Sequence, residues 1–174
     1  MEFEMEARAI PLEKIARGRL VIVPSSNIST FAIRGWRREP GGVDGDYFGL
    51  LGPFVEDTAL KTPCVRVARS MTLDHIVELP QARIVPKIET KLVHLGWDNG
   101  RGAGWLATVE DDLYVMLSSN GEAAVINVRT GEITREFPGR PPALAWFSQW
   151  SIAIPRLGEF AEIFHFDGAS WQNR

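Results

Sequence analysis

Trp105-Leu106-Ala107-Thr108-Val109, the link Glu110-Asp111-Asp112 and Leu113-Tyr114-Val115-Met116-Leu117 decide the fold class of this chain. Two short runs of apolar, β-branched and aromatic residues joined by a polar link read as consecutive strands. The pattern then continues. Ser119-Asn120-Gly121-Glu122 carries an Asn-Gly pair, the strongest short hairpin signal, because both residues accept the positive φ that a two-residue turn demands. Ala124-Val125-Ile126-Asn127-Val128 is the third strand and Arg129-Thr130-Gly131-Glu132 the next turn. Ile133-Thr134-Arg135-Glu136-Phe137 alternates apolar and polar as the fourth. Four sequential strands with tight turns make an antiparallel meander.

Working outward toward the N-terminus, Leu20–Val23, Thr30–Arg34 and Cys64–Ala68 are short apolar runs that read as strands. Residues 83–95 alternate loosely, and Pro86 predicts an edge strand or a break there. Residues 39–53 hold so many glycines that a long loop with at most one short strand is expected, a place to look for a binding surface. Residues 7–17, with Pro11 in the first turn and Gly18 beyond the end, predict a short helix. A second is predicted over Thr72–Leu79, capped by Thr72 and ended by Pro80. Toward the C-terminus, Ala143–Phe147 suits strand or helix, and Leu157, Phe160, Ala161, Ile163 and Phe164 recur at helical spacing. Asp167-Gly168 reads as the turn of a final strand–turn–strand fragment. The expected fold class is therefore α+β: a mainly antiparallel β-meander sheet with two or three short helices packed on it. It is expected as one globular domain over 1–174, with an N-terminal subregion 1–95 and a C-terminal meander 96–174.

Composition narrows the function. The chain has 174 residues, 45% hydrophobic and 24% charged, values ordinary for a globular protein. Net charge is −3, which gives no overall electrostatic footprint for nucleic acid. Arg34, Arg37 and Arg38 surround Trp36, a grouping that can hold RNA or phosphate; Glu39, Asp44 and Asp46 lie close by in sequence to neutralise it, and a solvated strand end is the plainer reading. Cys64 is the one cysteine, so no internal disulfide and no thiolate zinc site can form. The acidic start Met1-Glu2-Phe3-Glu4-Met5-Glu6 lacks the pattern of a signal peptide, and no run approaches the ~20 apolar residues that span a bilayer. A cytoplasmic protein that binds neither nucleic acid nor membrane is expected.

Few groupings could carry chemistry. Gly96-Trp97-Asp98-Asn99-Gly100-Arg101-Gly102-Ala103-Gly104 could cradle a phosphate on backbone N–H groups, yet no Gly-Lys-Ser/Thr follows and a strand, not a helix, comes next. A flexible connection anchored by Trp97 and Trp105 is the plainer reading. His75, His94 and His165 are scattered without ligand spacing, and no serine lies in a nucleophile elbow. Glu110, Asp111 and Asp112 could meet calcium or a basic partner, but they lack the alternating ligand spacing of a calcium loop. The six tryptophans suit either a core or an interface. No catalytic residue, cofactor-binding residue or metal ligand is expected.

Three pieces of the C-terminal part resemble a known group. They are Asp112-Leu113-Tyr114-Val115-Met116, then Val125 to Ile133 with its Thr130-Gly131 turn, then Leu157-Gly158-Glu159-Phe160-Ala161-Glu162-Ile163. Over residues 104–164 they resemble bacterial polymorphic-toxin immunity proteins of the SUKH and GAD-like groups. Long N-terminal helices of the SUKH pattern are missing. The strands are also phrased like β-propeller blades, but a chain of this length without repeats cannot supply several blades.

The resemblance implies, and the lack of a catalytic signature agrees with, a non-enzymatic protein-binding domain: an immunity protein that neutralises a toxin by covering its active site. Its contact residues are expected to be Asp44, Asp46 and Tyr47 in the 39–53 loop and Glu110, Asp111 and Asp112 in the acidic turn, since acidic side chains speed docking to a basic cleft. Two alternatives stand beside it. One is a small-molecule-binding protein or enzyme with its site around the 96–104 loop, and the other is a subunit of a larger assembly.

Overall fold

A computed structural model of the chain describes residues 10–24, 29–53, 66–69, 76–89, 103–120, 122–137 and 145–167. Among them lie twelve strands: β1 (Leu20–Pro24), β2 (Ser29–Arg38), β3 (Asp44–Gly52), β4 (Arg66–Arg69), β5 (Val77–Glu78), β6 (Arg83–Glu89), β7 (Leu106–Val109), β8 (Asp112–Ser119), β9 (Glu122–Asn127), β10 (Ile133–Thr134), β11 (Ala145–Arg156) and β12 (Glu159–Asp167). The meander is β7 to β10, each strand antiparallel to the next. Its first turn has Val109 opposite Asp112, with Glu110 at φ 54°. Asn120 opens the second at φ 51°. In the third, the Asn127 side-chain oxygen accepts the backbone N–H of Arg129 at 2.9 Å and of Thr130 at 3.0 Å, so a side chain substitutes for the ladder where the strand ends.

The strands make two antiparallel sheets. The first runs β5-β1-β2-β3-β4 and the second β10-β9-β8-β7-β11, with one parallel pair, Arg66 opposite Ser118, joining β4 to β8. The long β11 is shared. Its first residues pair with β7, its later ones with β12, and β6 lies along its other side. Trp150, fully buried on β11, stacks on Phe166 and donates its indole N–H to the Gly104 carbonyl.

The sheets meet face to face. Ile33 and Leu51 from the first share a core with Val115, Leu117 and Ile126 from the second. Gly35 and Gly49 sit on that face because there is no room for more. A Cβ on Gly49 would lie 3.1 Å from side-chain carbons of both Ile126 and Leu117. The other face of the first sheet is covered too. Ala32, Phe48 and Leu50 pack with Ile15 and Ile76 in a second cluster, capped by Ile10 and Leu12.

The α+β expectation is therefore corrected: among the described residues the chain is nearly all β, with no α-helix. Of the segment expected to be helical over 7–17, only Leu12–Lys14 forms a single 3-10 turn, after which Ile15 drops into the second cluster. Ile15 is itself extended, at φ −88° and ψ 121°, so the turn ends there and no helix propagates to Gly18. Of the 72–79 segment, 72–75 lie outside the described residues, and Val77–Glu78 pair with β1. The 157–164 segment is half of a hairpin, since Phe164 and Phe166 face Trp150 at strand spacing. Much of the expected 39–53 loop is β3. Gly41 and Gly42 make its open turn at positive φ, whereas Gly49 marks close approach of the sheets. The turn at Asp167-Gly168 and the glycine run 96–102 fall outside the described residues.

Candidate functional site

At the end of the molecule where β2 leaves for β3, the ladder places Arg38 opposite Asp44, Arg37 opposite Gly45, Trp36 opposite Asp46 and Gly35 opposite Tyr47. Strand alternation then sends Arg34, Trp36, Asp44 and Asp46 to one face, and Arg37 and Tyr47 to the other. On the first face Arg17 comes in from the N-terminal segment. Its guanidinium donates to Asp44 Oδ2 at 3.1 Å and lies 4.7 Å from the centre of the Trp36 ring. Arg38 meets the other Asp44 oxygen at 3.5 Å. Arg34 is buried, donates to Asp46 Oδ1 at 3.3 Å and donates a second N–H to the Ile15 carbonyl. On the second face Arg37 stacks on Tyr47 at 4.6 Å and donates to the Tyr47 hydroxyl at 3.1 Å, while that hydroxyl donates to Glu39.

Of the residues expected to bind a partner, Asp44 and Asp46 are thus each held by arginine, and Tyr47 sits beneath one. The acidic turn stands apart in sequence but at the same end. Asp112 accepts a two-pronged pair from Arg129, at 2.9 and 3.1 Å, and a third bond from Asn127 at 3.2 Å. The Arg129 bond, helped by Asn127, holds the Asp112 carboxyl below the usual carboxylate range, and the pairing raises Arg129. Arg129 begins the turn whose Thr130 carbonyl accepts the Trp36 indole N–H at 3.1 Å. The β9–β10 turn therefore bridges the two expected patches, with Asp46 and Trp36 on one flank and Asp112 on the other. Glu110 and Asp111 stand exposed at the tip of the neighbouring turn.

Sequence reading missed Arg17, Asn127 and Arg129. Arg17 is 27 residues from Asp44, and Arg129 is 17 from Asp112. Only pairing of the strands brings them together. Trp36, expected at a solvated strand end, is half-buried and spans the two sheets.

Arg37 also borders a cavity of about 270 Å³ with Ser119, Asn120, Glu122, Thr134 and Arg135. Arg135 crosses its rim to Glu122 at 3.3 Å.

Elsewhere, Glu162 accepts from buried Ser151 at 2.5 Å and from Lys87 at 2.8 Å, with His165 at 3.7 Å. Lys87 and then Ser151 lower the Glu162 carboxyl, which makes it a weak base toward the Ser151 hydroxyl it accepts from. The arrangement fixes an edge strand. Among the described residues no group of three or more His, Cys, Asp or Glu side chains could hold a metal, and no helix is long and apolar enough to cross a membrane.

What remains distinctive is the charged end: five arginines set against four carboxylates and two aromatic rings, with most of the pairs half-exposed. Comparison with family models, with curated proteins and with solved structures returns no match for this chain.

Proposed function

We propose that this chain is a non-enzymatic protein-binding domain that docks through the charged end. The observation that carries the reading is the ordering of Arg17 over Trp36 and of Arg37 over Tyr47. Arginine, tryptophan and tyrosine are the side chains that dominate interface energetics, and here they are held in place before any partner arrives, which lowers the entropy lost on binding. Glu110 and Asp111 add negative charge beside this surface. They favour a partner with a basic rim and speed its encounter. An immunity protein that covers a toxin's active site is the specific form we propose, because a nuclease-type toxin must present cationic groups to its own substrate.

The test is capture of partners on the tagged chain from its native host under mild lysis. One stoichiometric protein that is toxic when expressed alone, and harmless when co-expressed with this chain, supports the proposal. Recovery of the chain alone counts against it.

A second reading has its own observation. The cavity between Arg37 and Arg135 suits a small anionic molecule, two guanidinium groups standing against the one carboxylate of Glu122. A thermal-shift screen of small carboxylates and phosphates tests it: a shift lost in Arg135→Ala supports the cavity reading, and no shift from any of them removes it.

A further inference from the structure

The β11–β12 hairpin turns through Leu157-Gly158, with Arg156 opposite Glu159. Both turn residues have positive φ, 48° for Leu157 and 83° for Gly158. A tight hairpin turn of this kind selects Asn or Gly at its first position, because the Cβ of an L residue crowds the following carbonyl there; Gly has none and Asn offsets the strain with local hydrogen bonds that leucine cannot make. Leu157 is also 97% exposed, so the leucine gains nothing by burial. It serves the fold neither by conformation nor by packing. A residue that breaks both local rules at once is expected to be kept for contact with something else.

A matching hole lies beside it. The hairpin outruns β6, whose pairing with β11 ends at Ala153 opposite Arg83. Beneath the overhang, Val77, Leu79, Pro80, Ala82, Ile154 and Pro155 border a largely apolar groove of about 200 Å³. The space left by one leucine side chain in a packed core is about 150 Å³, so the groove has room for one. Phe160, 47% exposed and covered on one side by Arg83 at 3.3 Å, extends the apolar surface.

We propose that the occupant of this groove is Leu157 of a second copy of the chain. Knob and hole are neighbours, since Pro155 borders the groove two residues before Leu157. A two-fold axis between them seats both knobs at once, the isologous arrangement of most small homodimers. Charge favours self-association over a strongly acidic or basic partner. The patch carries Arg83 and Arg156 together with Glu78 and Glu159, so its charge is balanced and does not repel a second copy of itself. A contact centred on one hairpin tip lies at the small end of protein interfaces, so the dimer is weak and concentration-dependent.

Sedimentation velocity on the full chain tests this. The wild type is expected to move from monomer to dimer between about 5 and 500 µM, a range set by the small interface. Leu157→Asn should remain monomeric throughout while melting at the same or a higher temperature, because Asn-Gly is the better turn. Pro80→Glu, which blocks the groove from an exposed position, should also remain monomeric. A wild type that is monomeric at the top of the range, or a Leu157→Asn variant that dimerises as the wild type does, overturns the proposal.

Discussion

The indole N–H of Trp36 and the carbonyl of Thr130, 3.1 Å apart, fasten the first sheet to the second at the charged end. The backbone repeats the link, since Trp36 N–H also donates to the Gly131 carbonyl at 2.9 Å. Trp36→Phe keeps the ring beneath Arg17 but removes the side-chain bond. It should cost about 1 kcal/mol, the net worth of one such bond, in urea unfolding at neutral pH.

Glycine positions between the sheets should separate by what a methyl group would strike. A Cβ on Gly131 would sit 2.4 Å from the Arg34 carbonyl oxygen and 2.6 Å from the Gly18 nitrogen, at φ 74°. Backbone cannot move aside as a side-chain tip can. Gly131→Ala should cost about 3 kcal/mol or more, combining overpacking with left-handed strain. Gly49→Ala meets only the ends of Ile126 and Leu117 and should cost about 1 kcal/mol. Equal losses in the two variants would contradict this account of the interface.

Arg34 and Asp46 should be unequal partners. Arg34 is buried and serves the Ile15 carbonyl as well, whereas the Asp46 side chain is 44% exposed. Arg34→Met leaves a buried carbonyl without its donor and should cost about 1–3 kcal/mol. Asp46→Asn keeps a half-exposed side-chain oxygen that can still accept from Arg34, and should cost under about 1 kcal/mol. Chemical denaturation of both variants checks the order.

The Asp112–Arg129 pair predicts an acid-side loss of stability. The folded pKa of Asp112 lies below its unfolded value, because Arg129 and Asn127 bond the carboxylate. Its contribution is therefore fully present above the unfolded pKa of about 3.9, and is lost as pH falls through the folded value. Arg129 is largely in solvent, which screens the pair, so the effect is small. Asp112→Asn should flatten the stability profile below about pH 4 relative to the wild type, read from melting temperature against pH.

These particulars show where sequence was a sufficient guide. The meander was legible because Asn120-Gly121 and Thr130-Gly131 punctuate runs of the right length, and β-hairpin turns are local chemistry. The segment 157–164 was not. A register shift beside Ile152 and Ala153 breaks the alternation of β12, so Ile163 and Phe164 are adjacent apolar residues and a helical period fits them as well as an extended one. In 39–53 a local rule misled, since Gly49 answers to Leu117 and Ile126, far along the chain. Arg34, Arg37 and Arg38 could be grouped from the sequence with Glu39, Asp44 and Asp46, which do pair with them, but Arg17 and Arg129 lie 27 and 17 residues from the carboxylates they hold, and no spacing rule finds those two.

The central claim is that the charged end holds a protein partner. Its most direct measurement is quantitative capture from the native host with the wild type and with Arg17→Glu/Asp111→Lys, both side chains lying at the surface. The account predicts one stoichiometric partner on the wild type and at least about a tenfold loss on a variant that melts within a few degrees of it. A wild type that captures nothing, or a variant that holds the same partner as well as the wild type does, would contradict it.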